Sequence, residues 1–174
     1  MSNQIQRNYL EIKSISELIE VKKPLESLHL EKVDPADFQL NKFLYKEIGK
    51  KHRWIDRLIW NDKNWTDYVN SPSVFTYILK NKDDLVGYFE QNIHIQKHEC
   101  EIAYFGILEE YIGKKIGAYL LSEAIKKSFK TGSKRIWVHT CSLDHKHALE
   151  NYLSRGMKVF KSEIYLYKNL MCLR

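Results

Sequence analysis

The stretch Glu101–Gly132, EIAYFGILEEYIGKKIGAYLLSEAIKKSFKTG, decides how the chain folds. From Cys100 to Leu108, Ile102, Tyr104, Phe105 and Ile107 make an apolar, aromatic run of strand length, suited to a strand covered on both faces. From near Lys115, Leu120, Leu121, Ala124 and Ile125 recur at helical spacing, Lys126, Lys127 and Lys130 fall mostly outside that stripe, and Gly132 supplies a stop. The turn between them, Tyr111-Ile112-Gly113-Lys114-Lys115-Ile116-Gly117, leaves the first amides of the helix unpaired. Those amides, the helix dipole and two lysines suit an anion. Two glycines four apart also occur in ordinary strand-to-helix turns, so this piece alone leaves both readings open.

Downstream, Arg135–Cys141 (RIWVHTC) is β-rich, and Ser142-Leu143-Asp144 leads into HKHALENYLSRGM, a second helix with Asp144 as its candidate N-cap.

Together these two segments resemble the GCN5-related N-acetyltransferase (GNAT) superfamily. Its motif A is Gln/Arg-x-x-Gly-x-Gly/Ala ahead of a helix; here Ile112, Lys115 and Gly117 hold those positions, so Ile112 and Lys115 depart from the pattern. Its motif B is Asn-x-x-Ala-x-x-x-Tyr-x-x-x-Gly-Phe; Ala148, Tyr152 and Gly156 match, whereas His145 and Met157 depart. The two motifs stand in the right order, separated by one strand, and cover about residues 100 to 168. The resemblance implies an α+β GNAT fold, a mixed central sheet with helices on both sides, and acetyl-CoA in the cleft between two splayed parallel strands. In that family main-chain amides hold the pyrophosphate, a task the backbone performs under any side chain. The implied cofactor-binding residues are Phe105, Ile107, Ile112, Gly113, Lys114, Lys115, Ile116, Gly117, Ala118, His145 and Tyr152.

Length and composition fit this reading. The 174 residues suit one domain with a sizeable core, carrying an extra N-terminal strand segment over about residues 1–27. No stretch has the length of a membrane span, and the N-terminus lacks a signal-like apolar run, so the expectation is a cytoplasmic protein with no membrane partner. Three cysteines, Cys100, Cys141 and Cys172, read as reduced residues, not as a disulfide framework. The net charge of +6 comes from scattered lysines and reads as a solvated surface that also steers an anionic cofactor; a nucleic-acid partner is not expected.

Taken from its start, the chain offers strands at 8–13 and 28–33 with a break at Pro24, then a helix from Ala36 to about Lys50. Ser73–Lys80 and Leu85–Glu90 read as strands joined at Asn81–Asp84. The stretch between that helix and Ser73 is the most aromatic of the chain. The resemblance places the acceptor pocket there, with Trp54, Asp56, Trp60, Tyr104 and His139 as substrate-binding candidates. Their rings and carboxylate suit an ammonium group, although such aromatics also pack helices onto sheets. After Lys158–Tyr167 only Asn169–Arg174 remain, where the family usually adds another strand; the N-terminal strand or a second subunit, as a homodimer, is expected to cover the edge.

The chemistry needs a base, because an alkylammonium with a pKa of about 10.4 is almost wholly protonated near neutrality. Glu101, six residues before Ile107, stands where histone-acetylating relatives carry their glutamate base. A surface carboxylate is the plainer reading, and Glu109 and Glu110 are weaker rivals. Tyr152 matches the family's tyrosine at the coenzyme A sulfur; with reference values of about 10 and 8.5, full proton transfer to the thiolate is uphill by roughly 2 kcal/mol, so a hydrogen bond is its main work. A backbone N–H near Ile107 is expected to meet the developing oxyanion. His139, Cys141, Asp144, His145 and His147 crowd within nine residues, but their spacing fits no standard zinc set, and no metal is expected. The expected activity is therefore acetyl-CoA-dependent N-acetylation of a primary amine by direct attack in a ternary complex. The alternative is an acyl-CoA-binding regulatory module of the same fold.

Overall fold

The strand at the centre of the reading forms as expected, as Glu99–Ile107. A computed structural model describes residues 4–166. In chain order the elements are β1 (Gln4–Ile12), β2 (Leu28–Lys32), α1 (Phe38–Gly49), α2 (Asp62–Val69), β3 (Val74–Asn81), β4 (Asp84–His94), β5 (Glu99–Ile107), α3 (Ile116–Lys130), β6 (Arg135–Cys141), α4 (Ala148–Ser154) and β7 (Lys158–Leu166). The seven strands form one sheet in the order β2-β3-β4-β5-β6-β1-β7. Only β5 and β6 run parallel, through the α3 crossover; every other neighbouring pair is antiparallel.

Local chemistry fixes the boundaries. The Asp37 carboxylate accepts from the amides of Gln39 and Leu40 and starts α1. Asn61 and Asn64 exchange side-chain and main-chain hydrogen bonds at the start of α2. Gly132, at φ +85°, adopts the left-handed conformation that ends α3.

Two apolar layers flank the sheet. Ile116, Leu120, Leu121, Ala124 and Ile125 of α3 pack on Leu10, Ile102, Ile136 and Val138, with Tyr152 of α4 in the same cluster. On the opposite face, Leu44, Tyr45 and Ile48 of α1 and Trp65 of α2 pack on Ile78, Tyr88 and Tyr104. Each fully buried aliphatic side chain contributes about 1.5–3 kcal/mol.

The N-terminal strand takes up the edge left open beside β6, and does so from inside the sheet: β1 is paired antiparallel to β6 from Arg7↔Cys141 to Ile12↔Ile136 and to β7 from Gln4↔Leu166 to Glu11↔Lys158. Leu10 and Ile12 are buried on one face and Tyr9 and Glu11 are half-buried on the other, so both faces of β1 are covered, as suits a strand inside the sheet. Among the described residues the outer strands are β2 and β7, and Tyr167 and Cys172 lie outside those residues. No described helix is long and apolar enough to cross a membrane.

Candidate active site

β5 and β6 pair only at Glu99↔Arg135, Cys100↔Ile136 and Glu101↔Trp137. Just beyond, the register of β5 on β4 shifts, with Glu90 opposite Tyr104 and Gln91 opposite Ile102, so Ala103 is an extra residue. Such a bulge bends the strand that carries it, here where the partner strand is lost. A cavity of about 710 Å³ opens in the gap. Phe105, Ile107, Val138 and Tyr152 line it from the layer of α3 and α4, and Ile48, Trp54, Gly106 and His139 from the layer of α1. It therefore connects the two faces of the sheet.

The turn ahead of α3 forms the wall of this cavity through Ile112, Gly113, Lys115, Gly117 and Ala118. Lys115 is the N-cap in a left-handed conformation, φ 59°, and no side chain caps the helix there. The first-turn amides thus keep their hydrogen-bonding capacity and add the positive end of the dipole. Gly113 also has a positive φ, +85°, and a Cβ added at Gly117 would meet only Ile107 at 3.7 Å. Among the expected cofactor residues, Phe105, Ile107, His145 and Tyr152 line the cavity too. Lys114 and Ile116 do not: Lys114 Nζ donates to the Glu110 carbonyl, and Ile116 is buried in the core.

Glu101 and His139 share the α1 face of the sheet. Glu101 Oε1 lies 4.0 Å from His139 Nε2, with side chains 18% and 9% exposed. His139 reaches the cavity and Glu101 stands behind it. Tyr9 packs edge-on against His139 at 5.6 Å between ring centres. Tyr152 is buried, its ring 6.2 Å from that of Phe105. Glu109 is engaged by Lys51 at 2.5 Å.

Asp144 is not the cap of α4, which begins at Ala148 after His147. Instead its carboxylate folds back on the end of β6, accepting from the Thr140 hydroxyl at 2.7 Å and the Cys141 amide at 3.0 Å. It also accepts from Trp54 Nε1 at 3.3 Å, a bond that joins the loop after α1 to the loop after β6. His52 and His145 meet in the same place, 6.0 Å apart, and His147 stands 5.5 Å from His145. Burial, with His52, His147 and Lys146 nearby, holds the His145 pKa below its ordinary value. No cluster of His, Cys, Asp and Glu suited to a metal ion occurs among the described residues.

The aromatic block is differently disposed. The Arg57 guanidinium lies 3.9 Å from the ring centre of Tyr68, 4.1 Å from Tyr104 and 4.7 Å from Trp60, and donates to Glu90 Oε2 at 2.8 Å. Arg57 is 6% exposed and the Glu90 side chain not at all. Burial opposes the arginine's charge, but Glu90 outweighs it and holds the guanidinium charged. Asn41 and Tyr68 donate the remaining hydrogen bonds to that carboxylate. Asp56 accepts from Tyr45 and Tyr104. Of the substrate candidates, Trp54 and His139 line the cavity; Asp56, Trp60 and Tyr104 belong to the layer packed behind it.

Residues 40–157 match the family model described as "Acetyltransferase (GNAT) family". The chain belongs to the GNAT acetyltransferases. Its mixed seven-stranded sheet with four helices is the GNAT fold. A GCN5-related N-acetyltransferase from Sphaerobacter thermophilus shares it at TM-score 0.71 and 15% identity, over 91% of this chain and 49% of that one. One from Kribbella flavida gives 0.65 and 13% over 90% and 55%, and an aminoglycoside acetyltransferase from an uncultured soil metagenomic sample 0.64 and 14% over 76% and 90%. At these identities the likeness is one of fold, and this GNAT chain spans about half the length of the first. No curated protein matches it significantly. Val21, His52, Asp144 and Arg155 also line the GNAT cavity and were not expected as cofactor or acceptor residues. Arg155, beside Gly156, and Asp144, beside His145, carried a positional signal from motif B.

Proposed function

We propose that the protein is an acetyl-CoA-dependent N-acetyltransferase acting on a primary amine by direct attack in a ternary complex. The observation that carries this reading is the cavity passing between diverging β5 and β6, walled on one side by the uncapped start of α3 and on the other by His139 backed by Glu101. Bound acetyl-CoA supplies the thioester carbonyl. The amides of Ile116, Gly117 and Ala118 receive its pyrophosphate. His139, with Glu101 4.0 Å behind it, takes the proton from the attacking amine as the C–N bond forms, and the carboxylate stabilises the imidazolium. Tyr152 donates a hydrogen bond to the departing thiolate as the C–S bond breaks.

An acyl-enzyme route has no support among the described cysteines. Cys100 and Cys141 do not line the cavity, and burial pushes the Cys100 thiol up to about 11, which keeps it protonated. Trp54 and His139 contact the acceptor in this reading, while Asp56, Trp60 and Tyr104 shape the wall behind them.

The test is acetyl-CoA consumption across a panel of primary amines. Turnover is expected, with kcat lowered roughly 10²-fold or more by His139→Asn and by Glu101→Gln and less by Tyr152→Phe. Coenzyme A binding without turnover on any amine would move the regulatory-module reading ahead.

A further inference from the structure

The family match begins at residue 40, yet Val21 lines the cavity. The segment that carries it, between β1 and β2, is fastened across the helical layer at several points. The Ile19 amide donates to the Arg155 carbonyl at 3.2 Å, and the Val21 amide to Ser122 Oγ of α3 at 3.0 Å. Glu20 pairs with Lys126 at 2.6 Å and Glu17 with Lys158 at 3.1 Å. The Glu17 carbonyl lies so close over Gly156 that an added Cβ would come within 2.0 Å of it. These bonds hold Val21 where α3 and α4 meet, beside Ala118, Asn151, Ser154 and Arg155 of the cavity wall.

The chemistry of this end is that of an anion with an apolar neighbour. Arg155 donates from Nε to the Ser154 carbonyl, and its guanidinium pairs with no carboxylate among the described residues. Burial lowers its pKa, and a bound anion would offset that cost. Lys22, next to Val21, is exposed and has no ion-pair partner among the described residues. Val21 and Ala118 offer an apolar surface of the kind on which a nucleobase rests.

We propose that the strap Ile19–Lys23 and Arg155 form a subsite for the nucleotide end of the acyl donor, with the Arg155 guanidinium taking a phosphate monoester and Val21 packing on the base. This rests on the donor reading given above. The N-terminal segment is then part of the donor site, so strap order and donor affinity are coupled.

Calorimetric titration of the full chain with coenzyme A, 3′-dephospho-coenzyme A and adenosine 3′,5′-bisphosphate tests it. Arg155→Gln should weaken coenzyme A and the bisphosphate roughly tenfold, the value of a charge-assisted hydrogen bond, and leave the dephospho form within about twofold. Equal losses for coenzyme A and its dephospho form, or no loss, overturn the subsite. Hydrogen exchange of the wild type gives an independent reading: coenzyme A should slow exchange at the Ile19 and Val21 amides, and unchanged exchange there overturns the coupling. Wild-type protein that binds no coenzyme A overturns the donor reading and this inference together. Binding that ignores both the variant and the strap overturns this inference alone.

Discussion

In the turn ahead of α3 the helix start carries no side-chain cap, whereas in the block from Trp54 to Tyr68 side chains already enclose a cation. Lys115 stands where the family pattern has glycine, and the turn still reaches the left-handed conformation and leaves the helix uncapped. The Trp60–Tyr68–Tyr104 box has the composition of an ammonium site, and Arg57 occupies it. A backbone conformation therefore survives replacement of its side chains. A side-chain site depends on which cation reaches it first, and a covalently tethered arginine needs no association step.

The largest effect is expected where that box is broken. Glu90→Ala strands a buried guanidinium and should destabilise the protein by about 3–5 kcal/mol, a midpoint drop on the order of 10 °C in thermal unfolding. The double variant Arg57→Met/Glu90→Leu should recover much of the loss. A single-variant loss below about 1 kcal/mol would put the pair among weak surface ion pairs and dissolve the contrast.

A smaller effect sharpens the other half. Lys115→Gly relieves a left-handed lysine that costs about 1–2 kcal/mol while adding the entropy of glycine, so stability should stay within about 1 kcal/mol of wild type. Coenzyme A affinity, measured by titration, should fall by less than about fivefold, the worth of one exposed charge. A collapse of affinity would show that the side chain, not the amides, holds the anion.

The smallest effect is a pH dependence confined to the cavity rim. The His145 pKa is held below its ordinary value in the folded chain, so between the two values the unfolded chain holds the extra proton. Stability from this source is complete above about pH 6.5 and declines as pH falls through it. His145→Gln should flatten that decline in unfolding curves recorded from pH 7.5 to 5; an unchanged slope would remove His145 as its origin.

The sequence by itself determined the strand–turn–helix unit, the two motifs in order and the hairpin of β3 and β4, because periodicity and turn chemistry act over a few neighbouring residues. It also placed Phe105, Ile107, Gly117, His145 and Tyr152, which the structure brings to one cavity. What it could not decide lies across long separations. Asp144 has the chemistry of a helix cap, and only the approach of Trp54, 90 residues away, and the end of β6 turned it into a link between two loops. The aromatic box reads as open until Arg57 and Glu90, 33 residues apart, close it. β1 reads as a strand able to cover an edge, and only the packed sheet places it between β6 and β7. Val21 gave no local signal at all, since its place in the cavity depends on hydrogen bonds to Ser122 and Arg155, more than 100 residues on. Local order follows from nearest neighbours, and the assignment of a polar or apolar group to a site follows from which distant partner the packed sheet brings against it.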